Sequence, residues 1–139
     1  MRERGSVLVE FAIASTVALT MIFGIVDFGR ALYTYHLVSN AARAGSRYAI
    51  VRGAVCTVSG CPATSDQIQT YVRGLAPGID PASLTVATAW PGATTCYGVS
   101  NGAGCPVTVT VTYPFKFIVP LLPHFTMSMS SSSTMVISQ

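Results

Sequence analysis

Apolar residues run almost without a break from Ser6 to Val26, then give way to a mixed pattern that continues to Arg52 without a proline. The first stretch, about 21 residues, is long enough to cross a bilayer as a helix, for which roughly 20 are needed. Over the second stretch, a rotation of about 100° per residue gathers His36, Ser39, Asn40, Arg43 and Arg47 into one polar sector. Leu37, Ala41, Ala44, Gly45, Tyr48 and Ala49 fall opposite them. Together the stretches predict one rod from Ser6 to about Arg52, roughly 70 Å long at 1.5 Å per residue, half in lipid and half carrying a head. The small residues Ala41, Ala42, Ala44 and Gly45 fit either close approach of a sheet or second helix, or simply the helix propensity of alanine.

Beyond Gly53 the chain turns to cysteines and turn formers. Thr64-Ser65-Asp66 predicts the cap of a short helix running to about Gly74, with Ile68, Tyr71, Val72 and Leu75 at helical spacing. Three strands are expected: Leu84 to Trp90, Pro106 to Tyr113, and Thr126 to Ile137, the last alternating weakly through Met127 and Met129. In the middle one Val107, Val109, Val111 and Tyr113 alternate with Thr108, Thr110 and Thr112. Its valines should pack on the long helix and its threonines face outward, the pattern of an antiparallel sheet covered on one face. The apolar, proline-bearing segment Pro114 to Phe125 is expected to resist regular pairing and to serve as an exposed partner or membrane patch, or as filler beneath the sheet. The fold class is therefore α+β: a long N-terminal helix, membrane half plus amphipathic half, on a small three-stranded antiparallel sheet.

Composition supports the membrane half. The chain has 139 residues, 50% hydrophobic and only 9% charged, with a mean hydropathy of +0.53, too apolar for an ordinary soluble domain of single-domain size. Arg2 and Arg4 precede the apolar run, so the positive-inside rule keeps the N-terminus cytoplasmic and exports the rest. A secretory signal peptide would have an apolar core of about 7–15 residues ending at a small-x-small site before polar sequence, whereas this helix continues. In an oxidising compartment Cys56, Cys61, Cys96 and Cys105 read as disulfides. Of the three connectivities, Cys56–Cys61 with Cys96–Cys105 is favoured, because each pair brackets a turn-rich segment. Zinc is the alternative, and it lacks the Cys-x-x-Cys spacing such a site uses.

One carboxylate, Glu10, interrupts the apolar run. A charge inside a span costs on the order of 2.5–3.5 kcal/mol, less near an end, and calls for a partner. Glu10 lies five residues after Gly5, so a cut after Gly5 would leave it one helical turn from a free amine. Gly5 suits such a cut, since a backbone without a side chain enters a protease cleft closely. Glu10 could then pair with the Ser6 amine of a neighbouring rod and set the register between them. The plainer alternative is a carboxylate snorkelling to the cytoplasmic interface. Further along, Arg30, Arg43, Arg47 and Arg52 outnumber Asp27. Arg43 and Arg47, one turn apart, form a candidate surface for an anionic partner; the competing account is a solvated face with an i,i+3 pair between Asp27 and Arg30. No motif supports nucleic-acid binding. His36 and His124 are the only histidines and no serine or cysteine occupies a nucleophile turn, so no enzyme, cofactor or metal is expected.

The constellation Arg4-Gly5-Ser6 followed by Glu10-Phe11 resembles a prepilin peptidase processing site. With Gly24-Ile25-Val26-Asp27-Phe28-Gly29-Arg30, Asn40 through Ala49, and Val107 through Phe115, most of the chain resembles the TadE-like pseudopilin family of tight-adherence pilus systems. It departs from that family's common pattern in carrying Ser15-Thr16 where a mid-span proline is frequent, and in its four cysteines. The resemblance implies a prepilin leader over residues 1–5, a transmembrane and assembly helix over 6–26, and a periplasmic head over 27–139. Gly5 would be the residue before the cut, Ser6 the mature N-terminus, and Glu10 with Phe11 the assembly determinants. Implied partners are prepilin peptidase, other pilin and pseudopilin subunits, and an inner-membrane assembly platform. The alternatives are a periplasmic binding domain on an uncleaved anchor and a pseudopilin of a secretion system.

Overall fold

A computed structural model describes residues 3–92, 101–118 and 125–138. Helix α1, Glu3–Ile50, is a single element of 48 residues, about 72 Å long at 1.5 Å per residue. It begins before the expected start at Ser6, because Glu3 and Arg4 are good helix formers and nothing breaks the chain there. Its far end is closed by the C-terminal segment: the Ile50 carbonyl accepts from the Ser138 backbone N–H at 3.1 Å and from its hydroxyl at 3.0 Å. Terminal helix carbonyls lack intrahelical donors, so this pair supplies what the helix cannot.

Four further elements complete the head: α2 (Ser65–Gly74), β1 (Thr85–Ala89), β2 (Pro106–Lys116) and β3 (Thr126–Val136). A short 3-10 turn, Pro81–Ser83, leads into β1. The strands form one antiparallel sheet in the order β1-β2-β3. Val107, Val109 and Val111 are fully buried in a core that includes Val38, Ala41, Ala42 and Ala49 of α1, each valine contributing about 1.5–3 kcal/mol by burial. On the opposite face, hydroxyls pair across β2 and β3: Thr108 with Thr134 at 2.8 Å, Thr110 with Ser132 at 2.8 Å, and Thr112 with Ser130 at 3.1 Å. The valine-in, threonine-out expectation holds.

The small residues of α1 mark close packing. A Cβ on Gly45 would lie 2.8 Å from Val72 Cγ2 of α2 and 3.0 Å from Val109 Cγ1 of β2, so helix and sheet meet there over a bare backbone. One residue on, the buried Ser46 hydroxyl pairs with that of Ser133 at 2.8 Å. Helix α2 starts where expected. The Thr64 side chain accepts from the Gln67 N–H and the Gln67 side chain accepts from the Thr64 N–H, a capping box. Ile68 and Val72 turn into the core, while the partly exposed Tyr71 stacks on Tyr48 with centroids 4.4 Å apart.

The expectation for the end of β2 changes, and that for Cys56 and Cys61 stands. Strand β2 does not stop at Tyr113 but pairs through Pro114 to Lys116, opposite Ser128 and Thr126. Pairing with β1 ends at Thr112, so this extension has a free edge, where a proline is tolerated. Phe115 thereby enters the interior at 2% exposure, whereas Ile118 and Phe125 are exposed and residues 119–124 lie outside the described residues. The cysteines form no described metal cluster: Cys56 and Cys61 are joined as a disulfide, and buried Cys105 is disulfide-bonded. Cys96, the other half of the second expected pair, lies outside the described residues.

Candidate assembly helix and its junction with the head

The apolar window of α1 has a mean hydropathy of 2.0, and none of it is covered by the rest of the chain. The helix is long and apolar enough to cross a membrane. Its polar side chains there are largely satisfied within the helix: Ser15 and Thr16 donate to the Ala12 carbonyl at 3.0 and 2.7 Å, and Thr20 donates to that of Thr16 at 2.8 Å. In a solvent without hydrogen-bond partners such back-bonding hides the hydroxyls.

Gly5, Ser6, Glu10 and Phe11 all lie on this bare segment, Phe11 being 71% exposed. Ser6 and Glu10 are four residues apart, on one face of the helix. With α1 extending back to Glu3, the Ser6 nitrogen is a backbone amide, and Glu10 makes no ion pair among the described residues.

At the end of the apolar run stands a residue that sequence reasoning misplaced. Asp27 is only 2% exposed, not part of a solvated face. One carboxylate oxygen accepts from Arg30 at 2.8 Å and the other from the Ile118 backbone N–H at 2.8 Å, so the carboxylate ties the end of β2 to the helix. The Arg30 guanidinium in turn lies 5.3 Å from the centroid of the Phe115 ring. The missed signal was spacing: Asp27 precedes Thr34 and Val38 by seven and eleven residues and so shares their buried stripe.

Two grooves flank α1 at this level. One of about 690 Å³ is mostly apolar, bordered by Gly24, Phe28, Leu32, Tyr35 and Met127. The other, about 720 Å³, is bordered by Gly29, Arg30, Tyr33, Asp80, Tyr113 and Lys116. The Asp80 carboxylate there accepts from the Ser83 hydroxyl at 2.8 Å and the Ala82 N–H at 3.0 Å, and these bonds hold its pKa below the usual value. Farther out, Arg43 and Arg47 are exposed, as the polar sector requires, and border a shallow groove with Asn40 and Tyr71.

The helix is thus bare over its first half and covered by a small α+β head over its second. Residues 5–47 match the family model described as TadE-like protein. The match lies within α1 and includes the Gly5-to-Phe11 and Gly24-to-Arg30 blocks and all but the last two residues of the Asn40-to-Ala49 block that carry the resemblance; the β2 run lies beyond it. Neither a search of curated proteins nor one of solved structures finds a match to the chain.

Proposed function

We propose that this chain is a minor pilin or pseudopilin that takes part in assembling a tight-adherence pilus. Prepilin peptidase would cut between Gly5 and Ser6, leaving residues 6–26 as the assembly helix in the inner membrane and 27–139 as a periplasmic head. The observation that carries this reading is the uncovered apolar half of α1, with its lone carboxylate one turn after Ser6, inside the segment that matches the TadE-like family. The freed Ser6 amine of one subunit meets Glu10 of another, and the pair fixes register more than it adds stability. Phe11 and the apolar surface around it supply the contact area. Incorporation of the subunit into the extracellular fibre and docking to the inner-membrane platform follow from the same helix. The work is structural and needs no cofactor.

The test is the intact mass and N-terminal sequence of the chain expressed with and without its cognate peptidase. A peptidase-dependent start at Ser6 is expected; a start at Met1 under both conditions overturns the processing step. Glu10→Ala should leave cleavage intact and abolish pilus assembly, so unchanged pilus output would remove the pairing role.

A further inference from the structure

The groove holding Arg30, Asp80 and Lys116 has a position and a charge pattern that the assembly role does not use. If residues 6–26 span the bilayer, as the proposed function holds, their length of about 31 Å matches a hydrocarbon core of about 30 Å. Gly29, Arg30 and Tyr33 then stand at the level of the outer-leaflet headgroups. The groove offers about 720 Å³ at that level, with Tyr33 and Tyr113 on its walls, side chains suited to the water–lipid boundary. Its floor is open, since a Cβ on Gly29 would meet nothing within 4 Å.

The charges are mixed and balanced. Arg30 gives one N–H to Asp27 and keeps further donors, its side chain being 44% exposed. Lys116 is exposed and has no ion pair among the described residues. Asp80 is held ionised by its two hydrogen bonds. Two cations and two carboxylates, Asp27 included, leave no net charge, so a plain anion gains less here than a ligand carrying both signs.

We infer that this groove binds the phosphoethanolamine headgroup of an outer-leaflet lipid, its phosphate toward Arg30 and Lys116 and its ammonium toward Asp80. Guanidinium and ammonium donors suit the phosphate oxygens, and a primary ammonium brings three N–H donors to a carboxylate. Phosphatidylcholine offers a cation with no N–H, and phosphatidylglycerol offers no cation. A lipid seated there would hold the head at a fixed height and rotation on its membrane helix before assembly.

The test is native mass spectrometry of the detergent-solubilised full chain with each of the three lipids supplied at equal amounts. Phosphatidylethanolamine should be retained about tenfold more than either other lipid, equivalent to about 1.4 kcal/mol. Gly29→Leu, at a position where a Cβ meets nothing within 4 Å, should abolish retention by occupying the groove, while Gly24→Leu on the opposite groove should not. Asp80→Asn should erase the preference over phosphatidylglycerol, and Lys116→Ala should weaken all three lipids alike. Equal retention of the three lipids by the unaltered chain, or equal loss in the two glycine variants, would overturn the site. So would displacement of the lipid by excess inorganic phosphate, which would assign the cations to a free anion. Flotation of the unaltered chain with lipid vesicles isolates the anchoring step: a chain that does not float defeats the membrane helix itself, whereas one that floats yet shows no Gly29-sensitive lipid defeats the headgroup site alone.

Discussion

The two halves of α1 have the same secondary structure and opposite environments. From Gly5 to Val26 nearly every side chain is exposed, large apolar ones included; from Asp27 to Ile50 a stripe of Asp27, Thr34, Val38, Ala42, Gly45, Ser46 and Ala49 is buried under the head. The apolar half carries many long side chains, and among the described residues none of them is buried. The covered half carries small ones, because sheet and α2 must come close enough to share a core. Hydrophobicity along a helix therefore does not mark where its own domain packs. Here the most hydrophobic surface faces outward, and the head is held by alanine, glycine and serine.

Paired substitutions can break that comparison. Phe115→Ala should destabilise the head by about 3–5 kcal/mol, the range for emptying a buried aromatic site. Phe11→Ala should leave the head's thermal transition where it is; equal shifts in the two melts would mean the halves are not independent. Gly45→Leu comes next, expected to cost about 1–3 kcal/mol by forcing Val72 and Val109 apart. Gly24→Ala, with open space around it, should be neutral or add up to about 1 kcal/mol of helix stability. Denaturant titration of the two glycine variants checks the contrast, and a harmless Gly45→Leu would remove the close-packing account.

Asp27→Ala probes the boundary itself. Losing the acceptor of the Ile118 N–H should cost about 1–2 kcal/mol, read as faster amide exchange at Ile118 with little change at Val109 in the sheet core.

The smallest effect expected is at Asp80. Its pKa is lowered in the folded head, so its contribution is present above the unfolded carboxylate value near pH 4 and is lost as pH falls through the lower folded value. On acidification below about pH 4, the unaltered head should lose slightly more melting temperature than Asp80→Asn. A variant that tracks the unaltered chain at every pH would show the carboxylate to be uncoupled from folding.

Local patterns were legible because they depend on periods and short-range chemistry. The rod, the Thr64 cap and the valine–threonine alternation of β2 each follow from spacing within a few residues. So does the stretch long and apolar enough to cross a membrane, together with the exceptional Glu10. The family resemblance rested mostly on the helix that the family model matches, and in part on the β2 run, which lies beyond that match.

What the sequence could not supply was set by partners far away along the chain. Pro114 looked like a strand breaker, yet β2 continues through it because β1 ends short and leaves that edge free. Asp27 looked like half of a surface pair, yet a backbone N–H 91 residues away buries it at the foot of the head. The small-residue run around Gly45 fitted two explanations until Val72 and Val109 were seen on either side of it. Periodicity alone thus determined a half-bare, half-covered helix with a small sheet. Only the tertiary structure decided where the head grips that helix, because long-range contacts depend on which elements meet in space and leave no fixed spacing in the chain.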